Sequence, residues 1–201
     1  MFETAFKSAL SDERLANEYW QEIEEKYTSP TRFYHTIDHL DFLYTQLLPV
    51  KQRVLDWPAI LFAIAWHDFE YDVMRDDNEE RSAEIATKRL QKAGLLTEVI
   101  QSCADHILAT QHHKVAPEND TNLFTDADLA ILGSISSTYK YYVDDIRKEY
   151  ANFPEELFKT GRKNVLQYYI GMDFIFKTEH FREKFEKQAR ENIATELKAL
   201  K

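Results

Sequence analysis

Pro58-Ala-Ile-Leu-Phe-Ala-Ile-Ala-Trp66-His67-Asp68 is an almost unbroken apolar run closed by two polar residues. Opened by a proline suited to a first helical turn, such a run reads as a helix over Ala59 to about Trp66 that is buried nearly all round. Its end delivers His67 and Asp68. Adjacent side chains diverge by about 100° on a continuing helix, yet at a terminus a His nitrogen and an Asp oxygen can both turn toward one ion. The same residues also fit an ordinary role, with His67 a hydrogen-bonded core residue and Asp68 a turn residue. Other segments have to choose between these readings.

The rest of the chain is helical in the same sense. It has 4 Gly, 5 Pro and no extended alternating run of Val, Ile and Thr, so strands have nothing to start from. Ala5, Phe6, Ala9, Leu10, Ala16, Tyr19, Trp20, Ile23 and Tyr27 form a first apolar stripe, interrupted near Ser11, a candidate helix cap, and stopped by Ser29-Pro30. A second helix is predicted from about Thr36 to Leu48, before Pro49. After a polar, irregular segment from Asp68 to Asn78, helical spacing resumes from Glu79 to Leu90 and ends at Gly94. Further helices are predicted over Thr97 to about Gln111, from near Asp126 to Tyr150, from Pro154 to about Phe176, and from about Glu179 to Leu197. Residues 114–123 read as the clearest loop, and Gly161 as a point where the penultimate helix could kink. The expectation is an all-α, single-domain bundle over 1–201.

Composition narrows the function classes. With 25 basic and 35 acidic residues the formal charge is -10, which disfavours an extended nucleic-acid surface or binding to anionic lipid. The abundant Tyr and Phe recur at helical spacings, as in Tyr139, Tyr142, Val143, Ile146 and Tyr150, and so read as core. No stretch is apolar enough to span a bilayer or to form the heart of a secretion signal, so a cytoplasmic protein is expected. The lone Cys103 sits on an apolar helical stripe and reads as a buried, reduced thiol. A homodimer is compatible with the chain but is not encoded in any visible feature.

Several polar groups could join His67 and Asp68. Arg32-Phe-Tyr-His-Thr-Ile-Asp-His39 supplies His35 at a helix start and His39 one turn later on the same face. His35 is the better ligand candidate, and His39 could bind a substrate oxygen, transfer a proton or hold a second ion. Arg32 and Arg147 could grip phosphate, or could pair with one of many carboxylates. His113 could overlie a cleft, whereas His106 reads as structural. Of Glu79, Glu80 and Ser82, Glu80 is the preferred acid-base group alongside His39 and Asp68, although an acidic first turn is also ordinary capping. Asp126 and Asp128 could cluster near a cation or serve only as first-turn carboxylates.

Taken together, Tyr34-His35-Thr36-Ile37-Asp38-His39, His67-Asp68 and Phe124-Thr-Asp126-Ala-Asp128-Leu-Ala-Ile-Leu-Gly133 resemble the successive metal motifs of the HD superfamily of metal-dependent phosphohydrolases. Asn78-Glu-Glu-Arg-Ser-Ala83, Ile107-Leu-Ala-Thr-Gln-His-His113 and Ile146-Arg-Lys-Glu-Tyr150 resemble one branch of predicted HD hydrolases, so that the resemblance covers most of the chain.

The resemblance implies a helical bundle in which His35, His67, Asp68 and a later Asp converge on one divalent ion, with a second ion an option. Asp128, followed by Leu, matches the final motif better than Asp126, which could cap the helix or replace it as ligand. The implied activity is hydrolysis of a small phosphorylated compound, a nucleotide among the options. Mn²⁺ or Mg²⁺ would suit phosphate oxygens, and two His ligands also admit Fe²⁺, Co²⁺, Ni²⁺ or Zn²⁺. The alternatives are a nucleotide-binding regulator with little turnover and a di-iron oxygenase on the same scaffold.

Overall fold

A computed structural model describes residues 1–200, whose regular secondary structure is all helical with no strand among them. None of the helices is long and apolar enough to cross a membrane. Its contacts group into two compact units, Met1–Ala127 and the remainder from Asp128 on.

The first unit holds α1 (Phe2–Ser8), α2 (Glu13–Tyr27), α3 (Ile37–Leu47) with a 3₁₀ turn over Leu48–Arg53, α4 (Trp57–Trp66), α5 (Asn78–Lys92), α6 (Thr97–Ala109) and α7 (Asn119–Asp128) up to Ala127. As its composition predicts, α4 is the central helix: every residue from Ala59 to Trp66 is buried, and α1, α3, α5 and α6 pack around it. Phe6 sets its ring edge-on to Phe62 and Trp66, and Tyr19 meets Trp66 from α2. Large side chains buried in this way contribute about 1.5–3 kcal/mol each, enough to fix where α4 ends.

Local chemistry sets the boundaries. Asp12, rather than Ser11, caps α2 by accepting the Leu15 N–H at 3.0 Å. Asp56 caps α4 through the Ala59 N–H, also at 3.0 Å, with Pro58 in the first turn. Gly94 ends α5 at φ +73°, where the Gly94 and Leu95 N–H groups reach back to the Gln91 and Leu90 carbonyls. This is a Schellman closure, which favours a glycine at the left-handed position.

The segment before Asp126 differs from the sequence expectation. A helix was expected to begin near Asp126, but α7 begins at Asn119, so Asp126 and Asp128 stand in its last turn. The cause is tertiary. Asp120, which reads as a loop former, accepts the Leu55 and Asp56 N–H groups at the start of α4, and Asn122 closes the preceding turn onto both backbone groups of Ala116.

In the second unit, a 3₁₀ turn over Leu129–Gly133 leads to α8 (Ser136–Glu149), α9 (Glu155–Ile170), the short α10 (Glu179–Phe181), a π-helical turn over Arg182–Glu186, and α11 (Lys187–Ala199). Helix α9 runs unbroken through Gly161, which has open space beside it, so the expected kink is absent. Its buried Arg162 makes a two-pronged ion pair with Glu196 of α11 at 2.7 and 3.1 Å, and Glu196 also receives the Tyr139 hydroxyl of α8. This pairing ties three helices together.

Candidate metal centre

The site in the first unit is assembled from two helix ends. Thr36 occupies the N-cap position of α3, which places His35 just outside the helix and His39 in its first turn. His67 is the terminal residue of α4, still in helical geometry, and Asp68 follows it out of the helix. His39 and His67 are buried, and His35 and Asp68 are half-buried.

His67 is held from both sides. Its Nδ1 lies 3.1 Å from the Ile64 carbonyl. A carbonyl can only accept, so Nδ1 bears the proton and Nε2 presents a lone pair in the neutral ring. That Nε2 lies 3.1 Å from Nε2 of His39 and 3.0 Å from Oδ2 of Asp68. The same Asp68 oxygen is 3.7 Å from His39 Nε2 and 3.9 Å from His35 Nε2. Three acceptor atoms gathered this closely repel unless a proton or a cation lies among them.

The dimensions fit a cation. With metal–ligand bonds of about 2.1 Å, neighbouring ligand atoms lie about 3.0 Å apart in octahedral and about 3.4 Å apart in tetrahedral coordination. The His39, His67 and Asp68 separations bracket those values, and His35 stands slightly outside. His39, expected to serve substrate, proton transfer or a second ion, is buried with its Nε2 3.1 Å from that of His67, and His35 Nε2 approaches the Asp68 oxygen at 3.9 Å.

Helix α7 carries both Asp126 and Asp128. The Phe124 ring packs edge-on against the His67 ring at 5.8 Å, so the Phe124 face of α7 is turned to the site. Asp128, four residues on, shares that face; Asp126, two residues on, is about 200° round the helix and fully buried. Helix geometry thus puts the two carboxylates on different faces of α7.

The other sequence candidates are distributed differently from expectation. Glu80, the preferred acid-base group, is exposed and accepts from Gln111 at 3.1 Å. Its neighbour Glu79 is half-buried; burial raises its pKa, the Asp68 and Glu80 carboxylates push the same way, and His112 opposes them. Glu79 is therefore the carboxylate within electrostatic reach of Asp68. Ser82 is buried and ties the loop after Asp68 to α5 by accepting the Glu70 N–H at 3.0 Å.

Arg32 and Arg147, expected to grip phosphate, are committed internally. Arg32 is buried, donating to the Phe69 carbonyl at 2.9 Å and the His35 carbonyl at 3.3 Å. Arg147 pairs with Glu155, donates to the Tyr150 carbonyl and lies over the Phe158 ring. Their fork geometry serves the chain's own carbonyls, a use that residue type and spacing do not reveal. His113 is buried at φ +50° and closes the end of α6 through its N–H to the Ala109 carbonyl. His106 is structural as expected, with Nδ1 at 2.9 Å from the Thr121 hydroxyl and its ring beside Phe124.

Two site residues had no signal in the sequence. The Tyr27 hydroxyl accepts the Asp68 N–H at 3.2 Å, and the Tyr71 ring lies 4.3 Å from that of His35, tilted by 36°. Both read as apolar pattern or loop because their partners are distant along the chain or set by the loop's path. No family model, curated protein or solved structure matches the chain.

Proposed function

We propose that the protein is a divalent-metal-dependent hydrolase of a small phosphorylated compound, with nucleotides among the candidates. His39, His67 and Asp68 would hold the ion, with His35 at the margin and Asp128 the later Asp that the sequence resemblance implies. The observation that carries this reading is the placement of the buried His67 ring, with Nδ1 3.1 Å from the Ile64 carbonyl and Nε2 facing His39 and Asp68. Anchoring the distal ring nitrogen to a carbonyl is how proteins prepare a histidine for a metal. The sequence resemblance to HD phosphohydrolases supplies the reaction class.

When bound, the cation supplies Lewis acidity, lowering the pKa of water and offsetting phosphate charge. The chain's own contribution is positional. Glu79, its pKa raised by burial and by Asp68, is the carboxylate placed to exchange a proton beside the centre. Asp68 is held by Tyr27 at its backbone, and α7 bears Asp128 on its site-facing side. With Arg32 and Arg147 occupied, most of the charge opposite phosphate must come from the ion.

The test is release of phosphate or pyrophosphate from a panel of nucleotides and small phosphate esters, with Mn²⁺, Mg²⁺, Co²⁺ or Zn²⁺ added singly. Turnover that needs a metal and is lost in His67→Ala supports the reading. Tight nucleotide binding with no turnover under any metal would move the protein to the regulatory alternative, and metal-free protein after supplementation would remove the centre.

A further inference from the structure

We propose that Arg32 is a positioning residue that tunes metal affinity by bracing the two ligand-bearing segments of the centre. This rests on the metal reading above. Its guanidinium bridges the His35 carbonyl and the Phe69 carbonyl, one on the residue that offers a ligand and one next to Asp68. The two carbonyls lie 3 and 37 residues from Arg32 in the sequence, so the brace joins segments that only folding brings together.

Ring faces complete the brace. The guanidinium lies 4.6 Å above the Tyr27 ring and 5.3 Å from that of Tyr71. Tyr27 holds the Asp68 backbone and Tyr71 stacks on His35, so each of the two rings passes from Arg32 to a residue of the centre. At 8% exposure the side chain is closed to a substrate, and its polar contacts are backbone carbonyls rather than carboxylates. A planar fork can satisfy two divergent carbonyls while stacked between rings; a lysine ammonium, a single nitrogen, cannot do both.

The experiment is calorimetric titration of the full chain with Mn²⁺, together with the visible spectrum of the Co²⁺-loaded protein, for wild type, Arg32→Lys, Arg32→Met, Tyr71→Ala and the control Asp12→Ala. Both Arg32 variants are expected to bind Mn²⁺ about 10–100-fold more weakly, the range for partners that orient ligands, and to change the Co²⁺ spectrum. Asp12→Ala, which removes a distant helix cap, should lower the melting temperature and leave affinity and spectrum alone. Folded Arg32→Lys with wild-type affinity and spectrum overturns the proposal. If neither Arg32 variant folds, Tyr71→Ala decides, and unchanged affinity there overturns it as well. Wild type that binds no Mn²⁺ removes the metal reading and this inference together, whereas binding that ignores all three variants removes this inference alone.

Discussion

His39 and His67 meet Nε2 to Nε2 at 3.1 Å, although 28 residues separate them and they sit at opposite ends of their helices. One nitrogen must carry a proton, or both must face a cation. With His67 protonated at Nδ1 and Asp68 Oδ2 at 3.0 Å, the second arrangement uses all three acceptors.

His39→Ala and His67→Ala should therefore each weaken Mn²⁺ binding by more than about 100-fold, beyond the range for partners that only orient a ligand. His35→Ala, whose nitrogen stands 3.9 Å from Asp68, should cost less. Calorimetric titration of the three variants checks the order; equal losses would contradict the depth assigned to His39.

The two neighbouring glutamates should separate cleanly. Glu79→Gln is expected to lower phosphate release by about 10²–10⁴-fold, the usual contribution of a positioned acid or base, with metal occupancy retained. Glu80→Gln, exposed and bound to Gln111, should be close to wild type. Turnover numbers measured at matched metal loading test this, and a Glu80 effect larger than that of Glu79 would restore the original preference.

Below neutral pH, His106 should limit stability. Burial holds its pKa below the ordinary value, against the raising effect of Asp120, Asp56, Asp105 and Glu118. For a depressed group, the stabilisation is present above the unfolded-state pKa of about 6.5 and is lost as pH falls toward the folded-state value. Urea midpoints of wild type should thus fall as pH drops below about 6.5, and those of His106→Gln should fall less over the same range. Parallel curves for the two proteins would contradict the assignment.

In the second unit, Glu196→Ala should cost about 3–5 kcal/mol, as expected when one partner of a buried pair is removed. Burial works against the Arg162 charge, and Tyr142 and Glu196 together hold it protonated, so the variant strands a buried cation. Changing Glu196 and Arg162 together to Met should cost less than Glu196→Ala alone. Denaturant melts of the set would detect this.

Gly133→Ala tests a contact of a different kind. A Cβ there would meet Phe185 Cβ at 2.5 Å and its carbonyl oxygen at 2.7 Å. Overpacking of this sort costs about 1–3 kcal/mol, and Phe185→Ala should not relieve it, because the clashing atoms are backbone and Cβ. Recovery of the melting temperature in the double variant would show that the ring beyond Cβ was responsible.

The helices were legible wherever apolar periodicity and capping residues agree. Residues 58–66 can only lower their free energy by burial, Gly94 suits the left-handed end of α5, and both signals are local. His67 and Asp68 stand out for the same reason: they end a helix that has nowhere to go but the core. Beyond that reach, polar side chains choose partners by proximity in space. Asp120 and Asn122 look like loop residues until they meet the Leu55, Asp56 and Ala116 backbones, which moves the start of α7 to Asn119 and puts Asp126 and Asp128 at its end. Arg32 and Arg147 look like phosphate grips until chain carbonyls take their donors. Glu79 and Glu80 are equivalent as text, and only the azimuth of α5 turns one of them toward Asp68. Burial propensity is a property of each residue and its near neighbours, so it survives in the sequence; hydrogen-bond partnership and charge environment are properties of pairs, and they exist once the helices have packed.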